Sequence, residues 1–152
     1  LANEQSIILN YQSIELFPLC EKEYGMLNYN SILEGKTASL WEGICKSPWN
    51  KPVSISEFFS IEKIQADFTS WSPTSQYHVV YFDAFAPNDQ PEMWDRAQFQ
   101  KVYNSMLEGG VLVTYCVKGL VKQALREVGF DIERLQGPPG KKHMLRAWKR
   151  VK

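Results

Sequence analysis

Residues 77–82, Tyr-His-Val-Val-Tyr-Phe, form a run rich in β-branched and aromatic side chains that stops on Asp83. This feature limits the fold more than any other. The run is too short for a helix, and its composition is that of a strand buried on both faces, which occurs chiefly in parallel sheets. A parallel neighbour needs a crossover, and the next segment supplies one. Pro91 sits where a helix can begin without losing a useful N–H. Phe99, Val102, Tyr103, Met106 and Leu107 then fall at helical spacing on one face. Gly109–Gly110 ends that helix, and Val-Leu-Val-Thr-Tyr-Cys-Val (111–117) reads as a second doubly buried strand.

The flanking segments extend this pattern. Residues 6–18 read as a buried strand with Glu15 near its end, followed by a short helix after Leu19. Residues 40–56 hold two prolines and two tryptophans and read as an irregular insertion. A strand over 57–68 carries Asp67 at its close. Leu120, Val121, Ala124, Leu125 and Val128 define the inward face of a second helix, which Gly129 stops. Phe130–Leu135 and His143–Arg150 read as an antiparallel hairpin across Gln-Gly-Pro-Pro-Gly-Lys-Lys. The expected fold is therefore α/β, a mostly parallel sheet closed by a C-terminal antiparallel hairpin. A length of 152 residues suits a single domain.

Charge narrows the partners. Seventeen basic residues balance seventeen acidic ones, so a polyanion would have to be met by a local patch. From Gly140 onward there are six basic residues and no acid, which suits either a solvated last strand or a phosphate-facing edge. Cys20, Cys45 and Cys116 share no ligand-like spacing and only His78 and His143 could join them, so no metal site is expected. The odd thiol count and the lack of an apolar run near the ~18 residues a span needs suggest a cytoplasmic protein without membrane contact.

Ligands of open parallel sheets bind beyond the carboxyl ends of the strands. Glu15, Asp67 and Asp83 all occupy such ends. Singly, an acid there is usually a turn former or a helix cap. Together they suit an adenosine-containing cofactor, because carboxylates accept from ribose hydroxyls and from an exocyclic amine.

Asp83-x-Phe85-Ala86-Pro87 with Pro91-x-Met93-Trp94, then Glu-Gly-Gly-Val-Leu-Val-Thr-Tyr (108–115), and finally Gly140, Lys142 and Met144 resemble the MnmC family of tRNA wobble-uridine methyltransferase domains. The likeness runs from about Glu15 to Trp148, less clearly through residues 40–59. The resemblance implies a Rossmann-like fold and the cofactor S-adenosylmethionine. The implied reaction methylates the aminomethyl nitrogen of 5-aminomethyl-2-thiouridine, in the anticodon region of tRNA. Glu15 would bind the cofactor ribose, and Asp67 with Phe68 its adenine. Asp83 would stand beside the methyl donor and the acceptor amine. Phe85 and Pro87 would offer a wall to the base and Lys142 a contact to phosphate, while Met93 and Trp94 read as core.

One family feature is not matched. Such domains begin with a strand and a glycine-rich turn beside the methionine part of the cofactor, whereas the first glycine here is Gly25. The expectation is a domain incomplete at its N-terminus that binds the cofactor poorly alone. In this architecture the missing strand lies between the second and fourth strands, so either another segment fills that gap, those two pair directly, or the sheet is rearranged. Two other readings stay open: a non-catalytic Rossmann-like remnant binding RNA or protein, and a methyltransferase of small molecules.

Overall fold

The computed structural model describes residues 2–151. They cluster into two compact units that divide between Ser70 and Trp71.

In the C-terminal unit a four-stranded sheet has the order β4-β5-β7-β6, with β4 at Tyr77–Tyr81, β5 at Met106–Thr114, β6 at Phe130–Gln136 and β7 at His143–Lys149. β4 runs parallel to β5, while β7 is antiparallel to both β5 and β6. The crossover from β4 passes through a 3-10 turn at Pro91–Trp94 and helix α5, Arg96–Ser105. Asp95 caps α5 by accepting from the Gln98 N–H at 2.9 Å, which satisfies one of the helix's orphan donors. Helix α6, Gly119–Glu127, leads into the expected hairpin.

Trp94, Phe99, Met106, Leu112, Val121, Leu125 and Leu145 are wholly buried here. Each contributes roughly 1.5–3 kcal/mol by leaving water. Leu120, expected on the inward face of α6, is instead 52% exposed. Met106 and Leu107, expected on the helix, belong to β5. The Lys149 ammonium of β7 explains the early stop, since it donates to the carbonyls of Tyr103 and Met106 at the helix end. β4 is not buried on both faces either. It pairs on one side only, leaving Val79 49% and Tyr81 70% exposed.

The N-terminal unit carries a three-stranded sheet of order β1-β3-β2, with β1 at Leu9–Glu15, β2 at Pro52–Ser56 and β3 at Phe59–Gln65. β1 is parallel to β3 and β2 antiparallel to it, so both sheets are mixed rather than mostly parallel. Besides the short α1, Ala2–Gln5, it holds α2 at Glu21–Gly25, α3 at Tyr29–Ile32 and α4 at Lys36–Lys46. The supposed irregular insertion is thus a helix and a strand. Its helix is held by aromatic contact of Trp41 with Tyr29, centroids 4.5 Å apart. Lys63 of β3 closes its C-terminus, donating to the carbonyls of Ile44 and Cys45 while lying over the Trp49 ring. That burial pulls the Lys63 ammonium below its usual range. β1 was expected to be buried, yet Leu9 and Tyr11 are more than two-fifths exposed because β3 is its only partner strand.

Candidate active site

The parallel ladder of β4 extends one residue past the strand, through Phe82 N–H donating to the Val113 carbonyl at 2.8 Å. Phe82 turns into the core, where its ring meets Trp94 edge-on at 5.2 Å and Phe99 at the same distance. Alternation then sends the next side chain the other way, and Asp83 is exposed. A strand end thereby presents a carboxylate to solvent from a buried anchor.

The residues after Asp83 are tied down one by one. The Tyr115 hydroxyl donates to the Ala84 carbonyl at 2.9 Å. The Trp94 indole N–H donates to the Phe85 carbonyl at 2.7 Å. The Ala86 carbonyl accepts from the N–H groups of Asp89 and Gln90, closing a tight turn. The Lys118 ammonium donates to the Asn88 side-chain oxygen at 2.8 Å. With its backbone held, the Phe85 ring stands 77% exposed beside Asp83. Pro87, expected to be a surface wall, is buried and supports the loop from beneath.

Tyr115 follows the last residue of β5, the parallel neighbour of β4, so the two strand ends meet through it. Its ring stacks edge-on against Trp94 at 5.9 Å and lies under the Lys141 ammonium at 4.3 Å. Burial raises the Tyr115 phenol above its usual range, with Cys116, Asp83 and Asp89 adding to the shift. The phenol therefore stays protonated and able to donate. Lys141 belongs to the loop over residues 137–142, where Gly137 N–H donates to the Lys142 carbonyl. A Cβ on Gly137 would lie 2.3 Å from the Lys141 carbonyl oxygen, so glycine is required there. Lys142, the expected phosphate contact, is exposed on this loop, and Lys141 is the member that reaches the tyrosine.

In the N-terminal unit, Glu15 and Asp67 come to the same end of one sheet. Glu15 ends β1 opposite Gln65 of β3, and Asp67 lies two residues farther along. Both carboxylates also shape their own turns. Glu15 accepts from the Phe17 N–H at 2.9 Å, and one Asp67 oxygen accepts from both the N–H and the hydroxyl of Thr69. Phe68 beside them is half-buried. A carboxylate offers about four acceptor positions and takes hydrogen bonds from hydroxyls and amines, the groups a ribose and an adenine present. The acceptor chemistry of Glu15 and Asp67, with the aromatic Phe68 adjacent in sequence, suits the adenosine end of S-adenosylmethionine.

Sequence reasoning missed Tyr115 and Lys118, took Lys141 with Lys142 only as a candidate phosphate contact, and gave Trp94 only a packing role. A signal was available for Tyr115: a hydrogen-bonding aromatic immediately beyond the strand parallel to the one that bears Asp83.

Sheets interleaved with helices, and carboxylates at the ends of parallel strands, define an α/β protein with a candidate site beyond its strand ends. The chain belongs to the family described as S-adenosyl-L-methionine-dependent methyltransferase, whose model matches residues 58–150. Its fold is that of MNMC2 from Aquifex aeolicus, with a TM-score of 0.73 at 19% identity over 95% of this chain and 45% of that one. The tRNA 5-methylaminomethyl-2-thiouridine biosynthesis bifunctional protein MnmC of Actinobacillus pleuropneumoniae serotype 5b (strain L20) is 22% identical over 90% of the chain. The protein of that name from Pseudoalteromonas atlantica is 35% identical over 43% of the chain. The chain covers only 22% and 9% of the lengths of these two relatives. Among the described residues no helix is long and apolar enough to cross a membrane.

Proposed function

We propose that this chain carries the methyltransferase chemistry of tRNA wobble-uridine modification, methylating the aminomethyl nitrogen of 5-aminomethyl-2-thiouridine. The observation that supports it most is the exposed Asp83 carboxylate at the end of β4, on a loop whose next two carbonyls are pinned by Tyr115 and Trp94. The names of the relatives point the same way, and a cytoplasmic setting, where tRNA is met, is part of the proposal.

S-adenosylmethionine, when bound, supplies an electrophilic methyl group on a sulfonium. Glu15, Asp67 and Phe68 would hold its adenosine. An alkylamine with a pKa near ~10, like that of lysine, is mostly protonated at neutral pH and carries no free lone pair. Asp83 holds such an amine by its N–H groups, which brings the nitrogen into line and favours positive charge on it. The ammonium would first give a proton to Asp83, directly or through water, which frees the nitrogen lone pair for the methyl group that the cofactor would supply. Phe85 offers an exposed face on which the base can stack, and Lys142 with Lys141 offers charge to the neighbouring phosphates.

The test is transfer of a labelled methyl group to tRNA carrying 5-aminomethyl-2-thiouridine, with the product nucleoside identified by mass. It is run with the chain itself and with the chain preceded by a strand and glycine-rich turn. Label appearing on the aminomethyl nitrogen with either protein supports the reading. Binding of cofactor and tRNA without transfer by either would replace it with the non-catalytic one.

A further inference from the structure

The Tyr115 hydroxyl is the group on which the candidate loop's geometry turns. It reaches across from the end of β5 to the Ala84 carbonyl, the first carbonyl after Asp83. The ring is half-buried, fixed by Trp94 on its edge and by Lys141 on its face. Trp94 in turn holds the next carbonyl, that of Phe85, and is itself only 2% exposed. Two consecutive carbonyls of a surface loop are thus fixed by side chains rooted in the core. The geometry goes beyond packing, because both donors spend their polar atoms on the backbone that aims Asp83 and Phe85.

We propose that Tyr115 is a positioning residue: through the Ala84 carbonyl it fixes the direction of the Asp83 carboxylate and the plane of the Phe85 ring, and Lys141 links that setting to the loop over residues 137–142. The proposal rests on the methyl-transfer reading for its catalytic consequence and on geometry alone for the clamp. Loss of the hydroxyl leaves the aromatic packing with Trp94 in place but frees the carbonyl. A misplacement on the order of 1 Å is enough to cost a reaction as much as a hundredfold.

Tyr115→Phe removes the hydroxyl and keeps the ring. In this variant hydrogen exchange of the amides over residues 84–90 is expected to quicken on the order of tenfold, as for one lost hydrogen bond, while exchange in β6, β7 and α6 stays put and the melting temperature falls by only a few degrees. In the transfer assay kcat is expected to fall about tenfold or more with the tRNA KM within about twofold, the split expected of misaligned reacting groups. Unchanged exchange over 84–90 overturns the clamp. Faster exchange with unchanged kcat overturns the positioning role. Quickening in β6, β7 and α6 as well would show a general loss of packing and also overturn the proposal. If the unsubstituted protein transfers no methyl group, the functional reading fails, and the exchange arm alone decides the clamp.

Discussion

The two units spend their apolar residues differently. In the C-terminal unit Trp94, Phe99, Leu112, Leu125 and Leu145 are sealed between one sheet and its helices. In the N-terminal unit Ile61 is the one apolar side chain that is fully buried among the described residues, while Ile7, Ile8, Phe17 and Met26 are all more than half exposed. A loop rooted in a packed core can hold a reacting group still, and Asp83 sits on such a loop. Glu15 and Asp67 sit on strand ends with little core behind them, where carboxylates can bind hydroxyls but cannot be held as rigidly. On the proposed reading, acceptor alignment would fall to residues of the well-packed C-terminal unit and cofactor grip to residues of the more exposed N-terminal one.

The contrast breaks or stands on paired substitutions. Leu112→Ala removes a wholly buried side chain and is expected to cost about 2–5 kcal/mol in urea unfolding. Leu9→Ala removes one that is 46% exposed and is expected to cost less than about 1 kcal/mol. Equal costs would end the comparison. A smaller effect is expected from Asp95→Ala, which deletes the cap of α5 and should cost about 1 kcal/mol in the same measurement.

The Tyr115 clamp gives the contrast a pH signature. The phenol's pKa is raised in the folded state, so its contribution is complete below the ordinary tyrosine value near ~10 and is lost as pH climbs through the raised one. The stability gap between the unsubstituted chain and Tyr115→Phe should therefore narrow above about pH 10; a gap flat through that range would contradict the hydrogen bond. Least of all should Glu133→Gln matter. Its partner Arg146 lies at 2.6 Å on a solvated face, and such pairs are worth about 0–1 kcal/mol.

Much of the rigid unit was legible from its residues. The β4 run, the proline-flagged start near Pro91, the inward face of α6 and the final hairpin all follow from local patterns, and those patterns agree with the packing. What failed there depended on distant partners. Met106 and Leu107 continue a helical spacing, but Lys149, some forty residues on, takes the carbonyls at which the helix stops. Val79 and Tyr81 look like doubly buried residues, and only sheet order reveals an edge. In the N-terminal unit the helix α4 escaped because Gly35 precedes it without a capping side chain, and prolines and tryptophans around it mimic a loop. The acids of the candidate site could be picked out because strand ends are visible in sequence. Tyr115 and Lys118 could not, since what sets them apart is the carbonyl or side chain they reach.

Asp83 is the residue on which the account depends, and the rate of methyl transfer by Asp83→Asn tests it most directly. Transfer to tRNA carrying the aminomethyl nucleoside should fall by about a hundredfold or more, as for loss of a positioned acid–base or charge-stabilising group, with cofactor affinity unchanged. A rate within about twofold of the unsubstituted protein would mean that Asp83 only ends a strand.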